Sequence, residues 1–412
     1  AGFNAAYLGP VLRLSRGETE IALENAMAEE ISAHWHGLIV PGEVDGGPHQ
    51  PVAPGTTWKV VLPIAQDPAP LWFHSHIHGR TGPQVYAGLA GMMQIADGRD
   101  GERGLPTAHG VDDLPIILQD KRFDDTGEAV YNPSMHDRMM GFLGNAMVVN
   151  GQVGATAVVP PGLIRLRLLN GSNARIYDLH MRSGQPLMMI ASDGGFLPAP
   201  VALDRLLLGP GERAEVLIDL TGAPGDSLLS GMVDNSMMGI GIGEPFEVLP
   251  FVTDASLGAG VDRLPEALGG TLPSFDTAGT ILRRIALDTG GMGGGMMSGM
   301  MGHGPHGING RAYEMDRIDF TLKQGAVQRW RIEALSMMHP FHVHGVQFQV
   351  LSENGAPPAP RNLGWKDTVL VSGMAEIAMR FVAPAPDHAP YMYHCHILEH
   401  EDGGMMGQFA VS

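Results

Sequence analysis

Short runs in which apolar and polar residues alternate recur along the whole chain. Val11-Leu12-Arg13-Leu14, Trp58-Lys59-Val60-Val61-Leu62 and Phe348-Gln349-Val350-Leu351 have the two-residue period of a strand with one face buried. Apolar positions at helical spacing are scarce. Asn150-Gly151, Asn170-Gly171, Asn309-Gly310 and Asn354-Gly355 supply residues that tolerate left-handed backbone, as tight turns require. Many short strands separated by such turns predict an all-β chain built of β-sandwiches.

A loose repeat runs through the strands. Val11-Leu12-Arg13-Leu14 recurs as Leu163-Ile164-Arg165-Leu166-Arg167-Leu168 and as Ile318-Asp319-Phe320-Thr321-Leu322. Each copy is followed later by a polar turn and a second apolar strand, as where Pro210-Gly211-Glu212-Arg213 precedes Ala214-Glu215-Val216-Leu217-Ile218. Three copies predict three similar β-domains, and 412 residues are too many for one ordinary core. Residues 98 to 110 are charged and glycine-rich, and residues 254 to 278 are apolar, broken by glycine and proline, and lack alternation. The expected domains are therefore 1–108, 109–255 and 256–412.

Composition narrows the function by exclusion. A formal net charge of −18 argues against nucleic acid as a partner, since a phosphate backbone calls for a basic surface. An acidic surface suits solubility and would attract metal cations. No run is long and apolar enough to span a membrane, and no signal peptide is evident. The single cysteine, Cys395, rules out a disulfide within the chain, so the compartment cannot be read from disulfides.

The chemistry lies in four histidine clusters: His34-Trp35-His36-Gly37, His74-Ser75-His76, His339-Pro340-Phe341-His342-Val343-His344 and His394-Cys395-His396-Ile397-Leu398-Glu399-His400. On a strand, each H-x-H presents two imidazoles on one face. The same alternation turns Cys395 away from His394 and His396, so one strand could serve two metal centres. His339, Cys395, His400 and Met405 together offer two imidazoles, a thiolate and a thioether, the ligand set of a blue-copper site. Met406 is a rival for the thioether. A zinc site would need neither a lone thiolate interleaved this way nor the other eight imidazoles.

These clusters resemble the four signature segments of the multicopper oxidases, laccase-like enzymes that reduce dioxygen to water. They are most similar to the bacterial periplasmic cuprous oxidases of copper efflux. His34 to Leu38 with Pro41 to Pro48 resembles the first segment, Trp72 to His76 the second, and His394 to Met405 the last. The resemblance implies three cupredoxin domains, the middle one acting as a spacer, and four copper ions. His339, Cys395, His400 and Met405 would hold the blue ion, family spacing favouring Met405. His34 and His342 would hold a single further ion, and His36, His74, His76, His344, His394 and His396 a coupled pair. It also implies export to the periplasm or medium, and a chain that starts just inside the first domain.

Reduction of dioxygen consumes protons, and carboxylates are natural relays. By position, Asp45 and Glu401 match the family's acidic residues. The plainer alternatives are that Asp45 caps its Val-Asp-Gly-Gly turn and that Glu401 lies on a solvated face. His78 extends the second cluster and is expected to support a ligand from behind. Gly302 to Gly307 fits G-x-G-x-x-G but lacks a flanking strand and helix, so it is dismissed as a nucleotide site.

Substrate signals are softer. Met292, Met296, Met297, Met300 and Met301 lie among glycines, which disfavour helix by about 1 kcal/mol each relative to alanine. Thioethers select cuprous ion, and the resemblance places such an insert over the blue centre. Met337 and Asp402 match substrate-side residues of the cuprous oxidases. Leu335 stands where those enzymes carry a second aspartate, which weakens the case for a tight substrate-copper site, and Glu333 is the only nearby substitute. The expected function is one-electron oxidation of cuprous ion or phenolic aromatics, coupled to four-electron reduction of dioxygen. Two alternatives are a copper nitrite reductase, which would not need eight extra histidines, and a non-enzymatic cupredoxin-fold relative.

Overall fold

A computed structural model describes all residues of the chain except 234, 236–241, 259 and 290–305. As the patterning predicts, the protein is almost entirely β. Its strands fall into three successive groups of sheets. In the first, Leu12–Leu14 pairs in parallel with Ala90–Ile95, which pairs antiparallel with Ala69–His74, while Gly17–Glu24 pairs with Thr57–Ile64. In Thr57–Ile64 alternation holds as read: Val60, Leu62 and Ile64 are buried and their neighbours are not. Ala69–His74 is buried along its whole length, so its second face meets another part of the molecule rather than water.

The middle group is a seven-stranded sheet facing a five-stranded one. Its strand Leu163–Asn170 departs from the expected half-exposed pattern and is buried throughout. Arg165 and Arg167 are inside because each is ion-paired: both reach Asp100 and Glu215, and Arg167 also binds Asp113. A buried guanidinium is tolerable only with such partners. Asp100 belongs to the charged segment 98–110, so that segment is fastened to the middle sheets. The stretch 254–278 is likewise tied down. Leu268 is buried in the middle core and its amide donates to the Pro198 carbonyl (2.9 Å).

The third group is an eight-stranded sheet around the long strand Val327–Val343. That strand pairs antiparallel with Thr368–Arg380, but register slips between Ala334 and His339. The residues in the slip, Leu335 to Met338, form a bulge that patterning did not reveal. Such bulges re-aim side chains beside functional sites. Below it, Phe341 pairs with Cys395, and His342 with His394.

The first and third groups are docked directly. Tyr391 donates its hydroxyl to the Val40 carbonyl (2.5 Å), and the Gly42 amide donates to the Pro384 carbonyl (2.9 Å). A Cβ on Gly42 would lie 2.1 Å from the Ala389 carbonyl oxygen, so only glycine allows this approach. Gly42→Ala should therefore loosen the docking, at about 1–3 kcal/mol for an overpacked contact, and lower the melting temperature. An unchanged melting curve would show that the two groups do not depend on this contact.

Candidate metal centre

Alternation sorts the ligands. Cys395 and Phe341 point into the hydrophobic core of the third group, together with Met405. His342 and His394, one residue along on each strand, point the other way. In the first group, Trp35 packs into the local core, which turns His34 and His36 outward. A bridge between His34 and His74 (2.8 and 3.2 Å) brings two clusters side by side. The outward imidazoles of the first and third groups meet at the docked interface.

The result is two nests. In one, Cys395 Sγ lies 3.2 Å from His339 Nδ1 and 3.7 Å from His400 Nδ1, and those two nitrogens are 3.3 Å apart. The Ile397 amide donates to the same sulfur (3.3 Å). Met405 shares this core, whereas Met406 packs elsewhere with Tyr313 and Met392. In the other nest, His344 Nε2 and His76 Nε2 lie 3.2 and 3.3 Å from His394 Nε2. His34 groups both with His342 and His344 and with His36 and His74. The distances thus join these imidazoles into one nest and do not by themselves divide them between ions. The His396 ring lies tilted against Trp72 and His36 and edge-on to His74.

Most of the rings are held from behind. His34 Nδ1 donates to the Asp45 carbonyl (3.1 Å), His74 Nδ1 to the Ser75 carbonyl (2.9 Å), and His342 Nδ1 to the Asp367 carbonyl (2.8 Å). His344 Nδ1 donates to Asp45 Oδ2 (2.7 Å), and His400 Nε2 to the Met139 carbonyl (3.0 Å). The opposite nitrogens, among them Nε2 of His34, His74 and His342, are buried with no hydrogen-bond partner. Bare lone pairs facing one another about 3 Å apart repel unless a cation lies between them. These residues therefore fit metal ions, with tautomers fixed by outer partners as metal-binding histidines require.

Two carboxylates flank the larger nest. Asp45 touches His344 and, at 3.3 Å, His34, and its second oxygen, Oδ1, has no partner. Glu401 is buried, with its oxygens 3.0 Å from His394 Nδ1 and 3.5 Å from His76 Nδ1. The solvated face considered for Glu401 is thus not what the fold provides, and Asp45 does more than close a turn.

Other expectations fare differently. The oxygens of Asp402 accept the amides of Thr81 (2.9 Å) and Gly82 (2.8 Å) at the start of helix Thr81–Tyr86. Met337 is buried in the core of the third group, while Leu335 is 75% exposed. Glu333 is bound to Arg284 and offers no replacement aspartate. His78 is exposed, with its ring edge against Tyr313, and so does not brace a ligand. Met292, Met296, Met297, Met300 and Met301 lie outside the described residues.

The structure adds residues that spacing did not single out. Asp367 Oδ1 accepts from His36 Nε2 (3.1 Å), and Thr368 Oγ1 lies 3.0 Å from the same nitrogen. Glu399 accepts from Tyr131 (2.9 Å), Asn173 (2.8 Å) and the Phe142 amide (2.9 Å), which fastens the first turn of helix Leu398–Asp402. His306 lies against His400 with ring centroids 4.3 Å apart.

Two multicopper oxidase family models match residues 1–100 and 289–412. A bacterial laccase-like multicopper oxidase, CueO from Ochrobactrum sp., superposes with a TM-score of 0.92 at 41% identity, covering 100% of this chain and 92% of that one. The chain belongs to the multicopper oxidase family. A multicopper oxidase from Campylobacter jejuni, described as a metallo-oxidase, matches at TM-score 0.83 and 29% identity, over 98% of this chain and 85% of that one. Among curated relatives, cell division protein FtsP of Xenorhabdus nematophila is 39% identical, and that of Escherichia coli 38%, each across 100% of this chain and 85% of the relative.

Burial holds the nest imidazoles neutral. It depresses His36, His74, His76, His342, His344, His396 and His400 well below the ordinary histidine range, and neighbouring rings add to the effect at most of them. His339 is lowered to about 3, again chiefly by burial. Burial also pushes the Cys395 thiol up, so a thiolate there needs a metal to displace its proton. With folded values depressed, the unfolded chain binds the extra protons below its own value of about 6.5. The metal-free protein should therefore be fully stable above that pH and lose stability as pH falls from about 6.5 towards 3. Denaturant unfolding at pH 7.5 and 5.5 measures this, and equal stability at both would contradict neutral buried rings.

Copper-loaded protein should show an intense thiolate-to-copper absorption band. Cys395→Ser should abolish it, and a band that survives would place the thiolate chemistry elsewhere, although the chain has no other cysteine.

Proposed function

We propose that this chain is a four-copper oxidase that takes single electrons from a reductant at a blue copper and reduces dioxygen to water at a three-copper cluster. The observation that carries it is one strand: Cys395 faces the nest of His339 and His400, while His394 and His396 face the nest shared with the first group. The ions would be held as the family pattern assigns them, His339, Cys395, His400 and Met405 for the blue one, and the other eight clustered histidines for the rest. Bound copper would supply the electron storage and the site for dioxygen.

The chain's own residues supply the remainder. The backbone between Cys395 and its flanking histidines joins the two nests covalently. Asp45 and Glu401 orient imidazoles through Nδ1, and the unpartnered Oδ1 of Asp45 is free to pass protons inward. The apolar packing around Cys395 keeps water from the sulfur. We divide the chain into domains 1–108, 109–255 and 256–412, a reading that the three sheet groups support, with the first and third supplying the ligands. We take the reductant to be cuprous ion first and phenolic aromatics second. Met337 and the methionines of 292–301 are the candidate soft ligands, and Asp402, committed to backbone amides, is the weakest of the set. No helix among the described residues is long and apolar enough to cross a membrane, in keeping with an exported periplasmic or secreted protein.

A second reading is favoured by the curated relatives, whose printed role is cell division. In that reading the chain is a cupredoxin-fold interaction protein without turnover. The filled ligand positions favour the oxidase. Copper analysis of the loaded protein, with oxygen uptake on cuprous ion and on a dimethoxyphenol, decides between them. The oxidase should hold about four coppers per chain and consume oxygen with both reductants, faster with cuprous ion. Two coppers with nitrite reduction would point to the nitrite reductase alternative. No bound copper and no uptake would leave the structural role.

A further inference from the structure

The middle group contributes no clustered histidine, yet it reaches into the larger nest. Arg213 lies at the start of strand Arg213–Asp219, fully buried. A guanidinium has five N–H donors in a fixed fork, and here all five are used. Nε donates to the Pro70 carbonyl (2.9 Å) in the first group. Nη1 donates to the Gly211 carbonyl (3.1 Å) and to Asp367 Oδ1 (2.6 Å), and Nη2 to the Asp193 carbonyl (3.2 Å) and Asp367 Oδ2 (2.6 Å). One side chain thus ties together all three groups of sheets.

Asp367 passes this grip on to the imidazoles. Its Oδ1 accepts from His36 Nε2 (3.1 Å), its carbonyl accepts from His342 Nδ1 (2.8 Å), and Thr368 Oγ1 touches both rings (3.0 and 3.1 Å). The rings of His36 and His342 are stacked, with centroids 3.6 Å apart. Two glycines clear the way. A Cβ on Gly37, where φ is +93°, would lie 2.7 Å from both the Arg213 guanidinium and the Asp367 carboxylate. A Cβ on Gly211, where φ is +82°, would lie 2.8 Å from the His396 ring. Glycine therefore follows His36 for the sake of Arg213, and the turn before Arg213 lies flat on His396.

The charges around this contact are unbalanced. Lys366 pairs with Asp193 (3.1 Å) and Glu212 (3.0 Å), so two buried cations, Arg213 and Lys366, face three buried anions, Asp193, Glu212 and Asp367. The excess negative charge lies beside neutral imidazoles, where a bound cation would offset it.

Resting on the oxidase reading, we propose that Arg213, acting through Asp367, is a positioning residue for the copper cluster: it sets the orientation of His36 and His342, so the middle domain helps to build the metal site rather than only spacing its neighbours. Lysine at this position keeps the charge but cannot fill five directions at once. The test is copper-loaded Arg213→Lys. Its blue band should persist at unchanged intensity per chain, because the His339–Cys395–His400 nest lies on the other face. At least half of the non-blue copper should be lost, or the remaining non-blue copper should show a changed electron paramagnetic resonance hyperfine splitting. A full complement of copper with the parent resonance signal would overturn the proposal, even with a lower melting temperature. Should Arg213→Lys fail to fold, Asp367→Asn, which keeps an amide oxygen for His36, is read in the same way. Failure of both to fold would overturn it in favour of a purely architectural ion cluster. A parent protein with no copper at all would instead refute the oxidase reading, so the two failures are distinguishable.

Discussion

The alternation of a single β-strand is the constraint on which the rest of the molecule depends. Cys395 and its two neighbouring histidines cannot face one core. The sulfur must enter the sandwich of its own domain, and the imidazoles must leave it. Once they leave, they are buried only if another domain covers them. The docking of the first group onto the third, through Val40, Gly42 and Tyr391, is therefore a consequence of the ligand pattern as much as of apolar burial.

Packing ten imidazoles into two dry nests is unfavourable for the bare protein. Burial penalises the charged form of His36, His74, His76, His339, His342, His344, His396 and His400, and several nitrogens that would hydrogen-bond to water have no partner. The structure tolerates this because most of the rings, among them His34, His36, His74, His342, His344, His394 and His400, are anchored from behind by a carbonyl, a carboxylate or a hydroxyl, so little conformational freedom remains to be lost on binding. The same anchors fix which nitrogen stays bare. A site strained in its empty form and rigid in the right tautomers is one that metal binding stabilises.

Much of this was legible in the sequence. The alternating runs gave the strands, the repeat gave three units, and the H-x-H clusters marked histidines that the fold brings together, because all three signals depend on a period of two that survives any tertiary context. What was not legible depends on contacts between distant segments. The bulge at Leu335 to Met338 is a mismatch with a partner strand, which a single strand does not encode. The partners that let Arg165 and Arg167 be buried lie on other elements. The hydrogen bonds from the amides of Thr81 and Gly82 to Asp402 join segments far apart in the chain. Arg213 and Asp367 had one faint signal: charged residues within two positions of the largely apolar runs Ala214 to Ile218 and Val369 to Val371, where an unpaired charge would be costly.

Anomalous scattering at the copper edge from crystals of copper-loaded protein would locate the ions themselves. One peak should be bounded by Cys395 Sγ and Nδ1 of His339 and His400, and a separate set should lie among the imidazoles of His34, His36, His74, His76, His342, His344, His394 and His396. Loaded crystals with no peak at Cys395, or with density only at surface residues, would contradict this arrangement.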